Sequence, residues 1–143
     1  GIEPDLWMLN WVIEAHTNAG RIEDAERWLK KMGDYGFSPD AETYKCFMKA
    51  EAEAGNDEGV DNWLDKIKAS LDDQALSNIF EELMNGSLRA ANPGSVEMWF
   101  KRMQELGIES GQKVHRYRME ALVHPSALLD ARSRAESAED VLR

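Results

Sequence analysis

The sequence predicts an all-α fold, an α-solenoid built from antiparallel helix pairs. The first observation is a five-residue pattern that occurs three times, at residues 28–32, 63–67 and 99–103, so that its tryptophans lie 35 and 36 residues apart. In each copy a tryptophan, the next residue and the residue four places on are large and apolar, and they share one side of a helix. A repeat period between ~20 and 50 residues is typical of a solenoid.

The second observation is a set of apolar residues that recurs upstream of each tryptophan, which gives every repeat a first helix and a second helix. Small residues separate the two helices at equivalent positions: Gly20, Gly55 and Ala91. The first repeat predicts helices from about Asp5 to Ala19 and from about Ile22 to Tyr35. In the third repeat, the first helix runs from about Asp73 to Ala90, and Pro93 begins the second, because proline is favoured at the first helical position.

These elements predict a single elongated domain whose successive repeats bury Trp28, Trp63 and Trp99 in equivalent positions. Its segments are the tail of a preceding repeat (1–5), repeat 1 (6–40), repeat 2 (41–76), repeat 3 (77–111) and a degenerate repeat or helical cap (112–143).

The third observation is the junction between repeats, Gly-x-x-Pro-Asp, which occurs at residues 1–5 and 36–40. Glycine can end a helix in the left-handed conformation, proline prevents its continuation, and aspartate caps the next helix. The period, the paired helices and this junction resemble the pentatricopeptide repeat (PPR) family over about residues 1 to 111. The resemblance implies a helical-repeat protein of plastids or mitochondria that binds single-stranded RNA.

In that family each repeat reads one RNA base, and the resemblance places a reading site in repeat 1. Asn10 and Asp40 match the two reading positions, and Trp7 matches the apolar residue that sandwiches the base. The other repeats depart from the pattern at all three positions. Repeat 2 has Lys45, about Leu76 and Glu42, and repeat 3 has Glu81, Gly111 and Asn78.

Composition argues against RNA as the main partner. The formal charge is −10, from 17 basic and 27 acidic residues, and it repels phosphate backbones and anionic membrane surfaces. We find no pattern of a nucleophile with its base, no phosphate-binding loop and no zinc spacing, and the single cysteine, Cys46, excludes an internal disulfide. We therefore expect no enzyme activity, cofactor, metal, small-molecule substrate or membrane insertion, and a solvated helix face for the basic residues at 112–118.

The sequence thus predicts a non-enzymatic scaffold that binds protein partners as part of a large organellar complex. The predicted protein-contact residues lie near the two ends of the chain: Trp7, Trp11, Leu128, Leu129 and Val141. The alternative is an RNA-binding protein of plastids or mitochondria whose competent repeats precede residue 1. Any targeting segment would also lie upstream.

Overall fold

A computed structural model of the chain describes residues 2–129, 132 and 136. Every secondary-structure element in this part of the chain is a helix, which confirms the all-α solenoid class. The helices are α1 (Leu6–Asn18), α2 (Ile22–Asp34), α3 (Ala41–Glu53), α4 (Asp57–Ser70), α5 (Asp73–Arg89), α6 (Pro93–Glu105) and α7 (Gln112–Val123). A further helical stretch covers 125–129. None of the described helices is both long and apolar enough to cross a membrane.

The chain divides into two compact units, Gly1–Ile79 and Phe80–Arg143. In the first unit α1 packs on α2, α3 packs on α4, and α1 also contacts α3. Two helix pairs are therefore joined through their first helices, as a repeat architecture requires. The core of this unit is formed by fully buried apolar side chains: Leu9, Ile13, Met32, Phe47, Met48, Val60 and Ile67.

The turn within each helix pair uses a left-handed residue at the position that the repeat predicts. Gly20 and Gly55 have φ values of +72° and +71°, and Ala91 takes their place in the third repeat with φ +54°. A left-handed conformation costs an L-residue roughly 1–2 kcal/mol, a cost that glycine avoids. Ala91 is therefore a strained substitute in the same turn.

The repeated tryptophans differ in burial. Trp63 and Trp99 are buried, with 3% and 2% of their surface exposed, whereas Trp28 is only partly buried. The expected equivalence is wrong for Trp28, and the first helix of the same pair explains the difference. Phe47 stacks on Trp63 with ring centroids 4.2 Å apart, but the corresponding residue 35 places earlier is the smaller Val12.

In the second unit α6 packs on α7. Phe80 of α5 meets Trp99 of α6 edge-on, with centroids 6.2 Å apart, so this tryptophan also contacts the first helix of its own pair. α7 ends at Val123, and a new helical stretch begins at Pro125, because proline is tolerated at the first position of a helix but not in its interior.

Candidate binding surfaces

The two predicted base-reading side chains meet at the start of α3. The amide nitrogen of Asn10 on α1 donates to both carboxylate oxygens of Asp40, at 3.1 and 3.2 Å. Asp40 is also the N-cap of α3, where it accepts the backbone N–H of Thr43 at 3.0 Å. The carboxylate therefore starts one helix and holds a side chain of another.

Thr43 completes this junction and fixes the orientation of the amide. Its hydroxyl lies 2.6 Å from the amide oxygen of Asn10 and 2.9 Å from Asp40, and it accepts the backbone N–H of Asp40 at 3.2 Å. The hydrogen-bond network assigns the amide oxygen of Asn10 to Thr43 and the nitrogen to Asp40. Sequence reasoning missed Thr43, although a threonine three residues after the capping aspartate is a recognisable capping pattern.

Trp7 and Trp11 form a stacked pair on α1. Their ring centroids are 4.8 Å apart with 25° between the planes, and 64% and 62% of the two side chains is exposed. Trp7 lies three residues, about one helical turn, before Asn10 on α1, so the two side chains are neighbours on the surface of this helix. Two indole rings in water are the largest exposed aromatic surface in the part of the chain that the structure describes.

Comparison of α1 with the equivalent helix α3 shows which side of α1 Trp7 and Trp11 occupy. We define the tryptophan face as Trp7, Met8, Trp11 and Ala15, all of which are exposed. Their counterparts on α3, 35 residues later, are Glu42, Thr43, Cys46 and Ala50.

Two of these counterparts are turned towards α1. Thr43 is fully buried and contacts Asn10. Cys46 is partly buried, and its burial, followed by the negative charge of Glu14 on α1, raises the pKa of its thiol to about 11. The tryptophan face of α1 therefore corresponds to the side of α3 that another first helix covers.

Comparison with known proteins agrees with this arrangement. The family model described as "PPR repeat family" matches residues 4–52. A pentatricopeptide repeat-containing protein of Arabidopsis thaliana is 31% identical over 68 residues, which is 47% of this chain and 7% of that protein. These matches confirm the resemblance to PPR repeats, which the family model shows over residues 4–52. The chain spans only a small part of the length of this curated relative.

The predicted reading positions of the second and third repeats hold side chains that form ion pairs. Lys45 lies 2.6 Å from Glu42, so the reading and sandwiching positions of repeat 2 neutralise each other. In repeat 3, Glu81 lies 3.6 Å from Lys113. Each salt bridge gives a predicted reading residue, Lys45 or Glu81, a charged partner within the chain.

Exposed apolar side chains also occur in the second unit. Leu128 and Leu129, two predicted contact residues, are 56% and 66% exposed, whereas Val141 lies outside the described residues. Three further apolar side chains of α7 are exposed: Met119, Leu122 and Val123.

The basic residues of α7 are paired with carboxylates. Arg116 lies 3.6 Å from Glu120, and Arg118 lies 2.8 Å from Glu97 with its guanidinium 3.7 Å from the ring centroid of Phe100. Together with the Lys113 pair, these contacts neutralise the basic cluster that the sequence shows at 112–118. The basic cluster is therefore a set of side-chain pairs along α7.

The buried carboxylate of the first unit has a structural role. Glu51 accepts a hydrogen bond from the side-chain amide of Asn56 at 2.7 Å, and Asn56 caps α4 through the backbone N–H of Gly59 at 3.1 Å. A Cβ atom at Gly59 would lie 2.6 Å from this carboxylate. Within the described residues, no group of three or more histidine, cysteine or acidic side chains is arranged to hold a metal ion.

Proposed function

We propose that this chain is a helical-repeat scaffold that binds protein partners within an organellar assembly. The observation that carries the proposal is the tryptophan face: two stacked indoles, each almost two-thirds exposed, on the side of α1 that a neighbouring helix covers in α3. Large exposed aromatic side chains are the residues that most often dominate the free energy of protein–protein binding.

Charge supports a protein partner over a nucleic acid. The chain carries a formal charge of −10, and the electrostatic attraction of basic side chains for phosphate supplies most of the sequence-independent affinity for nucleic acids. In repeat 2 the cation at the predicted reading site, Lys45, is paired with Glu42, and in repeat 3 the predicted reading residue is the anionic Glu81, which is paired with Lys113. These two sites therefore provide no long-range electrostatic attraction for a phosphate group.

Single-stranded RNA is a second candidate, because one observation favours it. Asn10 and Asp40, the pair that PPR proteins use to read a base, are in direct contact at 3.1 Å, and Trp7 is exposed one helical turn away. Bases stack on such aromatic side chains. Repeat 1 therefore has the components of one base-reading site.

One experiment separates these two functions. The tagged chain is expressed in its native source, and the size of its assembly is measured by gel filtration before and after ribonuclease treatment. We expect a large assembly that ribonuclease leaves unchanged and that Trp7→Ala/Trp11→Ala reduces to the free chain. The control is Tyr35→Ala, which removes an aromatic side chain that is 52% exposed and is not among the predicted contact residues.

An assembly that ribonuclease dissolves, or one that Asn10→Ala reduces as much as the tryptophan changes, would contradict the scaffold and support RNA. An assembly that survives ribonuclease and both tryptophan changes would show that the tryptophan face is not the contact surface. Circular dichroism of each variant confirms that its helices remain folded.

A further inference from the structure

The junction between α2 and α3 has the features of a modification site. We propose that Ser38 is phosphorylated by a kinase that recognises serine followed by proline. This inference goes beyond the scaffold function and does not depend on which partner the chain binds. Three observations carry it: the sequence around Ser38, the conformation of the junction and the charges at the equivalent places of other junctions.

The sequence restricts this kind of modification to one place. Among all the serines and threonines of the 143 residues, only Ser38 precedes a proline. Proline has no backbone N–H, so it fits a kinase whose substrate groove needs no hydrogen bond from the residue after the serine. A kinase of this class therefore finds a single matching hydroxyl in the chain.

The conformation of the junction presents this hydroxyl in the folded chain. Residues 37–40, between the end of α2 and the start of α3, form no helix, and Ser38 is exposed. A residue before proline is held in an extended conformation, which is the form in which a kinase binds its substrate segment. Ser70 differs, because it is the last residue of α4 and its hydroxyl oxygen lies 3.4 Å from that of Tyr44.

Other junctions of the chain carry a negative charge at the place of Ser38, which lies two residues before Asp40, the cap of α3. Glu3 lies two residues before Asp5, the cap of α1, and Glu109 lies two residues before the cap of α7. Both glutamates are exposed, and negative charge near the N-terminus of a helix is stabilised by the helix dipole. A phosphate on Ser38 would therefore be tolerated by the fold, as Glu3 is beside the carboxylate of Asp5.

Phosphorylation would change the charge beside the predicted reading pair of repeat 1. The hydroxyl oxygen of Ser38 attacks the terminal phosphorus of a nucleoside triphosphate, the bond from that phosphorus to the nucleoside diphosphate breaks, and the hydroxyl proton passes to the base of the kinase. The product carries about −1.5 to −2 charge at pH 7. It lies two residues before Asp40, whose carboxylate contacts Asn10, so the modified junction repels the phosphate backbone of RNA more strongly.

The test incubates the folded chain with ATP and a proline-directed serine/threonine kinase, and mass spectrometry then locates the phosphate. We expect one phosphate, on Ser38, and we expect the chain isolated from its native source to carry the same one. Ser38→Ala and Pro39→Ala should each abolish the modification, whereas the matched control Ser70→Ala should leave it unchanged. Circular dichroism confirms that each variant keeps its helices.

Two further measurements compare the phosphorylated chain with the unmodified chain. The midpoint of urea unfolding should be unchanged, and the affinity for uridine-rich RNA at low salt should fall about threefold or more. Absence of phosphate from Ser38 in either preparation, or a phosphate that survives Pro39→Ala, would overturn the site. A lower urea midpoint would contradict its tolerance by the fold, and an unchanged RNA affinity would contradict the effect of its charge. None of these results alters the ribonuclease experiment, which judges the scaffold function separately.

Discussion

Trp63 illustrates how one residue holds a helix pair together. Its ring stacks on Phe47 at 4.2 Å and lies 6.5 Å from the ring of Tyr44, and Lys66 covers it from the solvent side at 4.1 Å. Trp63→Ala should lower the free energy of unfolding by ~3 to 5 kcal/mol, because it removes a buried aromatic side chain and leaves a cavity. Urea denaturation followed by circular dichroism measures the change.

Trp28 provides the matched control for this prediction. It occupies the same place in its repeat and has a lysine, Lys31, 4.3 Å from its ring, but it is only partly buried. Trp28→Ala should therefore cost less, about 1 to 3 kcal/mol. Equal costs for the two substitutions would show that the stacking of Phe47 on Trp63 contributes little.

The spacing of these tryptophans could be predicted from sequence, whereas their burial could not be predicted from spacing alone. Val12 stands where Phe47 stands one repeat later, so the first pair lacks the ring that covers its tryptophan. The residue that decides whether the tryptophan is buried lies in the first helix of each pair, and not in the repeated five-residue pattern. Burial depends on the partner side chain as much as on the residue itself.

At the scale of elements, the start of α3 combines a helix cap with a contact between helices. Asp40 accepts hydrogen bonds from Thr43 and from Asn10, whereas Asp5, the cap of α1, accepts one from Met8. Asp40→Ala should lower the unfolding free energy by about 1 kcal/mol more than Asp5→Ala, because a hydrogen bond between helices is lost together with the cap.

Urea titrations of the two single variants measure this difference. Adding Asn10→Ala to Asp40→Ala gives a double-mutant cycle for the contact between α1 and α3, and adding it to Asp5→Ala is the control. If Asn10→Ala has the same effect with Asp40 present or absent, the contact contributes nothing to stability.

The contact between α1 and α3 can also be followed through Cys46. Burial and the charge of Glu14 raise the pKa of its thiol to about 11, so at pH 8 its thiolate fraction is about 100-fold below that of a thiol with the reference pKa near 9. Cys46 should react with a disulfide reagent about 100-fold more slowly in the folded chain than in urea.

Rates measured between pH 7 and 9 check this prediction, because the thiolate fraction of the folded chain should still be rising at pH 9. Glu14→Gln should accelerate the reaction by lowering the pKa of the thiol, whereas the same change at Glu53, at the far end of α3, should not. Equal rates in the folded and unfolded chain would contradict the packing of α3 on α1.

The helices and their turns were largely predictable, because caps, glycines and proline act locally. Asp5, Asp40 and Pro93 mark helix starts that the structure confirms to within one residue. The site was only partly predictable. Family resemblance indicated Asn10 and Asp40, but the ion pair between Glu81 and Lys113 joins residues 32 positions apart and required the fold of the second unit.

On the scale of the whole molecule, net charge decides which ligand class can approach. With a formal charge of −10, the chain repels a phosphate backbone, and among the predicted pairs of reading positions only that of repeat 1 includes a side-chain amide. We expect binding of uridine-rich single-stranded RNA no tighter than ~100 μM at ~150 mM salt, the weak end of non-specific affinity for nucleic acids. Fluorescence anisotropy of labelled RNA measures it.

Two controls decide whether any observed binding is specific. Non-specific contact with phosphates would strengthen steeply as salt is lowered, since its affinity depends on counterion release, and it would not change when Asn10 is replaced. Recognition of a base would weaken with Asn10→Ala and with Trp7→Ala but not with Trp28→Ala, because only the first two residues belong to the predicted reading site of repeat 1. Micromolar binding that weakens with Asn10→Ala and Trp7→Ala but not with Trp28→Ala would contradict the scaffold function. It would show that Asn10 and Asp40 act as a base-reading pair.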